Sequence, residues 1–265
     1  MTHSTSPGRE FLSGSTDAIR IVPLHLPEAL TKPTNEAGAA TPPQLTYRNG
    51  QLLTNVEVFT VFWGPAWNSA PASGILTEVN NFFDAILTSA LIDQLNEYSV
   101  PGYKIGHGKR TGTVTITTPH IGKSVSDHAI RVMLQHAIAT NHAFPPAGPN
   151  TLYFIYIPPG TAVVQGGSRS CQAFCGYHDN IMGKIFYAVM PYPGCSGCTG
   201  GLPPIDALTS TSSHELCEAI TDPVPGQGWY DDVNGENGDI CAWKTKKIGT
   251  HTVQLEWSNK ANSCV

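Results

Sequence analysis

The sequence predicts a mixed α/β fold, in which helices pack against a single sheet, and three observations support this. Short runs of β-branched and aromatic residues alternate with longer segments of helical periodicity. The 26 glycines and 21 prolines favour a loop-rich protein over a helical bundle. With 265 residues, the chain is long enough to bury a substantial core. We therefore expect one mixed-sheet domain with packed helices.

The first part of the chain differs in composition from the rest. Residues 1–44 are rich in Thr, Ser, Pro, Ala and Gly and are expected to form a flexible leader, with one short strand within 19–26. Residues 45–265 are predicted to be the α/β domain. Its cysteine-rich half, 168–265, is expected to carry the functional site.

The elements follow in order along the domain. The segment 56–63 is β-branched and aromatic and ends at Gly64-Pro65, which predicts a strand. Apolar residues in 75–98 recur at helical spacing, with a break near Thr88. The alternating segment 113–117 predicts a second strand. Ser126 is a good N-cap for a helix over 126–142, which must stop before the prolines that follow.

In the second half of the chain, strands and helices alternate less regularly. The segment 151–157 is apolar and bounded by two prolines, so a buried strand is expected there, and 185–190 predicts another. A helix over 206–221 and a strand over 252–257 complete the prediction. Zincin metalloproteases also place a sheet before their metal-binding helix, so a zincin-like architecture is a hypothesis here.

Composition excludes several classes of function. Charged residues make up 13% of the chain, the formal net charge is −5 and basic runs are absent from the sequence, so nucleic acid is not an expected partner. The sequence has no apolar stretch of eighteen residues, so no membrane span is expected. It also lacks a G-x-S-x-G elbow, a phosphate loop and a dinucleotide fingerprint.

Seven cysteines lie between 171 and 264. Short loops favour pairing of 171 with 175 and of 195 with 198, and the C-terminal tail favours 241 with 264, although sequence alone does not fix pairing. Cys217 is then left over and is expected to be a buried apolar residue. Fully reduced cysteines or a zinc ribbon are the alternatives, and the spacing fits a ribbon poorly. Disulfides indicate an extracellular location. The start of the chain lacks the pattern of a secretory signal, which keeps a cytoplasmic location open.

The segment His214-Glu215-Leu-Cys-Glu218 is the strongest chemical signal in the sequence. On a helix, His214 and Glu218 project from one face, and Glu215 lies beside them. The pattern is that of the H-E-x-x-H zinc-protease helix with its second histidine replaced by glutamate. We therefore predict His214 and Glu218 as metal ligands, and Glu215 as the general base that takes a proton from a metal-activated water.

A third ligand is expected from the Asn-Gly-rich segment downstream. Glu236 follows His214 at the distance along the chain where thermolysin-like proteases have their third zinc ligand, which it resembles in order. Asp239 could bind the metal instead, or orient a histidine. Zn²⁺ is the expected cation, with another divalent cation as the alternative because the ligand set is rich in oxygen. Tyr230 and His178 are candidates to stabilise the transition state.

A structural interpretation competes with this one. The acidic residues could belong to the start of a helix, where Ser212 or Ser213 caps the helix and Glu215 and Glu218 favour its positive end. The acidic and Asn-Gly segments downstream could then be ordinary turns.

Several strings also resemble one family. They are Trp63-Gly64, Cys175-Gly176-Tyr177-His178, Tyr187-Ala188-Val189, the loop 195–198, Ser213-His214-Glu215-Leu216, Glu218-Ala219, Thr221, Pro223, Gly228-Trp229-Tyr230 and Asp239-Ile240-Cys241. In these the chain resembles the plant phosphate-induced, EXORDIUM-like proteins and their bacterial and fungal relatives. Cys217 and Asn237 depart from the family, which more often has alanine and an apolar residue there. The resemblance implies an apoplastic protein linked to growth and cell-wall responses, without an established catalytic activity.

Three hypotheses for function follow. The first is a metal-dependent hydrolase, in particular a zinc metallopeptidase acting on peptides. The second is a non-catalytic, secreted interaction or signalling protein of the EXORDIUM-like type, with a structural metal or none. The third is a metalloenzyme that acts on a small amide or ester.

Overall fold

The computed structural model describes residues 21–23 and 42–265, so most of the leader predicted for 1–44 lies outside the described residues. The described strands are β1 Ile21–Pro23, β2 Thr46–Tyr47, β3 Glu57–Trp63, β4 Lys109–Ile116, β5 Ser124–Ser126, β6 Thr151–Ile157, β7 Ala162–Gln165, β8 Ser168–Arg169, β9 Phe174–Ile181, β10 Ile185–Pro191, β11 Trp229–Tyr230, β12 Thr245–Ile248, β13 His251–Gln254, β14 Trp257–Ser258 and β15 Ser263–Cys264. The described α-helices are α1 Ala72–Ile86, α2 Ala90–Leu95, α3 Asp127–Thr140, α4 Ser196–Thr199, α5 Pro204–Thr221 and α6 Asn237–Ile240. Short 3₁₀ turns lie at Pro65–Asn68 and Asn96–Tyr98.

A six-stranded sheet organises the domain, in the order β1-β9-β10-β6-β3-β4. The four strands from β10 to β4 are parallel, whereas β9 runs antiparallel to β10 and β1 antiparallel to β9. Every residue of β6 is buried, as expected for a central parallel strand covered on both faces. The mixed α/β class predicted from the sequence is therefore confirmed.

Helices cover both faces of this sheet. The core on one face is formed with α1, α2 and α5, and it contains alternate residues of the central strands, such as Phe154 and Ala188. The core on the other face is formed with α3, and it contains the residues between them, such as Ile155 and Val189. Period-two alternation therefore divides each strand between two apolar layers.

Most predicted elements are confirmed within a few residues. The break predicted near Thr88 separates α1 from α2, whose N-cap Ser89 accepts from the Leu91 backbone N–H, and Ser126 caps α3 as predicted. The strand predicted at 252–257 is two short strands, β13 and β14. Strand β9, which pairs antiparallel with β10, was not predicted. Of the strand expected within 19–26, residues 21–23 are described and are extended.

Helix α5 is enclosed by the domain. It begins at Pro204, and every residue from Ala207 to Thr221 is buried. Strands β9, β10 and β13 and helix α6 pack against it. Ser213 therefore lies inside the helix, where its hydroxyl donates to the Ser210 carbonyl and accepts from the Gln254 backbone N–H. The alternative in which Ser212 or Ser213 starts the helix is wrong.

Three disulfides are present, and two of the predicted pairings are wrong. Cys171 pairs with Cys195 and Cys175 with Cys198, at Cα separations of 5.9 and 5.4 Å. The reason is tertiary: Cys175 lies in the extended strand β9, and α4, which carries Cys198, packs beside that strand. These bonds also exclude the zinc ribbon.

The remaining cysteines agree with the sequence prediction. Cys241 pairs with Cys264, and Cys217 is a buried free thiol on α5. In the part of the chain that the structure describes, no single helix is long and apolar enough to cross a membrane; α1 together with Ala90–Tyr98 meets that test only across a 56° bend.

Candidate metal centre

Helix α5 supplies three side chains to one buried cluster. His214 and Glu218 are one turn apart, and His214 Nε2 lies 2.9 Å from Glu218 Oε1. Glu215 lies beside them, and all three side chains are 0–1% exposed. The face predicted from the i, i+4 spacing is therefore present.

Strand β9 brings His178 into the same cluster. His178 pairs with Ala188 of β10, which belongs to the core on the α5 side, and directly opposed residues of a sheet point to the same face. Its Nδ1 lies 3.0 Å from Glu215 Oε2 and 3.5 Å from Glu218 Oε2. Its Nε2 lies 3.1 Å from the Asp222 carbonyl oxygen. A residue predicted as a softer candidate is thus central.

The turn before α6 closes the cluster from the other side. The backbone N–H of Asp239 donates to Glu218 Oε1 at 3.0 Å, and the backbone N–H of Glu236 donates to Asp239 Oδ2 at 3.1 Å. Glu236 Oε1 lies 3.5 Å from His178 Nε2. Both acids predicted as the third ligand therefore reach the cluster, Asp239 beside Glu218 and Glu236 beside His178.

Donor atoms converge at two points within these residues. One donor atom each from His178, Glu215 and Glu218 lie within 4.8 Å of one another. The same holds for His214, Glu218 and Asp239. Imidazole nitrogen and carboxylate oxygen are donors that zinc and neighbouring divalent metals accept.

Hydrogen bonding at His178 is compatible with a proton or a cation between this ring and the carboxylates. When His178 Nε2 carries the proton donated to the Asp222 carbonyl, Nδ1 presents a lone pair to the carboxylates of Glu215 and Glu218. Acceptor atoms that face each other at these distances repel unless a proton or a metal ion lies between them. A nitrogen that faces carboxylates while its partner donates to a backbone carbonyl is the usual arrangement of a metal-binding histidine.

Unpartnered polar atoms are concentrated in the same place. Among the described residues, buried side-chain atoms without a hydrogen-bond partner include Glu215 Oε1, Glu218 Oε2, both carboxylate oxygens of Glu236 and both ring nitrogens of His214. Each such atom that is left buried and unsatisfied costs about 1–3 kcal/mol. A divalent cation would satisfy several of them together, so the residues fit a metal.

The pKa values of the cluster reflect its many carboxylates. Burial alone would lower the pKa of His178, but the surrounding carboxylates, Glu236 foremost, outweigh burial and raise it well above its usual value. The pKa of Glu218 shifts in the opposite direction. Burial would raise it, whereas His214 and His178 outweigh burial and lower it to about 2. Burial and the charge of Glu218 raise the pKa of Glu236 well above its usual value. Metal ions compete with protons for such a ligand set.

Two acids of the site were missed by sequence reasoning. Glu256, between β13 and β14, is fully buried, both its oxygens lack a partner, and its charge interacts with that of His214. Asp222 ends α5 and accepts from the backbone N–H groups of Gly226, Gln227 and Gly228. The one available signal for Glu256 was that it is the single acid in the segment 251–257.

Tyr230, the other predicted stabilising residue, lies on β11. It is buried, and the guanidinium carbon of Arg48 lies 4.3 Å from its ring centroid, in a cation–π contact. Its role in stabilising a transition state stays a prediction.

Comparisons with known proteins do not assign this site. No protein-family model matches the chain, and no curated protein matches it. The resemblance to EXORDIUM-like proteins therefore stays a prediction that these comparisons leave untested.

Proposed function

We propose that the protein is a metal-dependent hydrolase that cleaves a peptide or a small amide or ester. One observation carries the proposal. A donor set of His214, Glu218 and Asp239, of which Asp239 is half-buried and the other two buried, lies next to Glu215, a buried carboxylate with an unpartnered oxygen. Bound metal and adjacent free carboxylate are the two parts that hydrolysis by an activated water needs.

In this proposal, His214 and Glu218 hold the cation, with Asp239 as third ligand and Glu236 as the alternative. Zn²⁺ suits a set of one imidazole and two carboxylates. When bound, the cation supplies a Lewis acid and lowers the pKa of water toward neutrality. The chain resembles zincin metalloproteases in having a sheet before the metal-binding helix, which supports the peptidase form of the proposal by analogy alone.

Glu215 is the proposed general base. Its Oε2 lies 3.0 Å from His178 Nδ1, and its Oε1, which has no hydrogen-bond partner, can accept a proton. His178 is itself fixed by the Asp222 carbonyl. His178 and Tyr230 remain the candidates for stabilising the developing negative charge.

Burial favours a second candidate function. His178, His214, Glu215, Glu218 and Glu236 are 0–1% exposed, so a peptide can reach them only after part of the domain moves. A closed metal site is typical of a structural role. The second candidate is therefore a non-catalytic interaction protein that a metal stabilises, as the EXORDIUM-like resemblance implies.

An extracellular location is part of the proposal. Three disulfides fit an oxidising environment. A cytoplasmic location is the alternative, and fractionation of cells producing the full chain separates the two.

The test compares the full chain with Glu215→Gln and with Glu78→Gln, an exposed glutamate on α1 that serves as the control. Metal content is measured by elemental analysis, and turnover on a panel of peptides, amides and esters. We expect metal in all three proteins and turnover about 10²–10⁴-fold lower in Glu215→Gln alone, because the base is lost while His214, Glu218 and Asp239 are unchanged. A metal-loaded wild type that is inactive across the panel supports the non-catalytic function, and a metal-free protein overturns both.

A further inference from the structure

Glu218 lies between the two histidines of the cluster and presents a different oxygen to each. Its Oε1 lies 2.9 Å from His214 Nε2, and its Oε2 lies 3.5 Å from His178 Nδ1. The two donor triads described above share this one carboxylate. We propose that the site holds two divalent cations, bridged by the Glu218 carboxylate.

The spacing of the donor atoms fits both ions. Donors at about 2.1 Å from one cation lie about 3.0–3.4 Å apart in octahedral or tetrahedral geometry. At the first position, His214 Nε2 and Glu218 Oε1 are 2.9 Å apart, and Asp239 completes the triad. At the second position, His178 Nδ1 is 3.0 Å from Glu215 Oε2 and 3.5 Å from Glu218 Oε2.

The groups around His178 also suit a ligand set at the second position. The Nε2 of His178 lies at hydrogen-bonding distance from the Asp222 carbonyl, which directs the Nδ1 lone pair at Glu215 and Glu218. Glu236 stands 3.5 Å from the same ring, and both its oxygens lack a partner. Because this contact is to Nε2, on the side of the ring away from Nδ1, Glu236 adds negative charge near the position without belonging to its donor triad.

The charge of the cluster also favours two ions over one. Four fully buried glutamates each carry at least one unpartnered oxygen: Glu215, Glu218, Glu236 and Glu256. With Asp239 of the first triad these make five carboxylates; if all five are ionised and both imidazoles are neutral ligands, one dication leaves three negative charges uncompensated and two dications leave one. Buried charges without a counter-charge are strongly unfavourable.

The inference rests on the proposed hydrolase function and refines it. Pairs of cations about 3.5–4 Å apart are used by aminopeptidases and phosphatases to hold both the attacking and the leaving oxygen. Glu215 would then bind the second ion through Oε2 and still present Oε1 to accept a proton. The substrate class that follows is a peptide or ester whose reacting group both cations contact.

The experiment counts ions and asks whether they share a ligand. The full chain is stripped with chelator, reloaded with Zn²⁺ or Mn²⁺ and desalted; the metal per chain is measured by mass spectrometry, and the Mn²⁺ form is examined by electron paramagnetic resonance. The variant is His178→Asn. The control is His107→Asn, which changes a half-exposed histidine that pairs with Asp93 at the surface.

We expect two ions per chain and an exchange-coupled Mn²⁺ spectrum for the wild type and the control. For His178→Asn we expect one ion and no coupling. One ion in the wild type overturns the inference and leaves the hydrolase proposal standing, whereas none overturns both. If the wild type binds two uncoupled ions and His178→Asn also binds two, the second ion lies elsewhere, and this result also overturns the inference. If the variant does not fold by circular dichroism, the count and coupling of the wild type decide.

Discussion

Gly238 is the residue on which the cluster depends without contributing a side chain. A Cβ at this position would lie 2.8 Å from Glu218 Oε1 and 2.9 Å from His214 Nδ1, closer than real Cβ atoms approach. The backbone of α6 therefore packs directly against the two proposed ligands. Only glycine allows this approach without moving one of them.

Gly238→Ala is expected to lower the bound metal by at least half and to lower the melting temperature, because His214 or Glu218 must shift away from the added methyl group. Elemental analysis and thermal unfolding measure the two effects. Gly74→Ala is the matched control, since a Cβ at Gly74 of α1 meets nothing within 4 Å. A Gly238→Ala protein with full metal content would show that this close approach does not shape the site.

At this scale, the sequence identifies the cluster residues that share one helix, but it gives little sign of those that lie alone on other elements. His214, Glu215 and Glu218 follow from spacing on one helix, and Glu236 and Asp239 from their place downstream. Glu256 could not be predicted, because a single glutamate near a strand is ordinary until the fold shows that it is buried. His178 was a weak candidate, because only its register opposite Ala188 directs it toward α5.

At the scale of elements, the burial of α5 on all sides is the main finding. Most helices of this kind leave one polar face in solvent, whereas α5 is covered by the sheet, β13 and α6. Strand β9, which holds His178 against this helix, was missed because its Gly, Asn and Asp residues are typical of turns. Burial between β1 and β10 outweighs that preference.

Leu216→Ala on α5 is expected to lower the free energy of unfolding by about 2–5 kcal/mol, because it leaves a cavity in a fully buried position. Val132→Ala is the control on α3: this side chain is 52% exposed, and its loss should cost less than about 0.5 kcal/mol. Denaturant unfolding in the same excess of Zn²⁺ measures both. Equal values would contradict the enclosure of α5.

At the scale of the whole molecule, two disulfides join β9 and the turn just before it to the segment that leads into α5. They link Cys171 to Cys195 and Cys175 to Cys198, so the strand that carries His178 is tied to the helix that carries His214. The sequence predicts that the cysteines pair, but not which pairs form, because pairing depends on how β9 and α4 pack. The α/β class was predictable, since it depends on periodicity along the whole chain.

Thiol titration tests this arrangement of cysteines. The folded chain should show no reactive thiol, because Cys217 is buried and the other six are paired. In denaturant without reductant one thiol per chain should react, and after reduction all seven. More than one thiol in the first denatured sample would contradict the three disulfides.

Strand β1 has a practical consequence for handling the protein. Ile21–Pro23 pairs with residues Phe174 to Tyr177 of β9 and so occupies the outer edge of the sheet. Trimming the chain to begin after Pro23 would uncover the amide and carbonyl groups of β9, and uncovered edges of this kind recruit strands from neighbouring copies. Shortened versions should therefore self-associate, and samples for crystals or assays are best prepared with residues 21–23 retained.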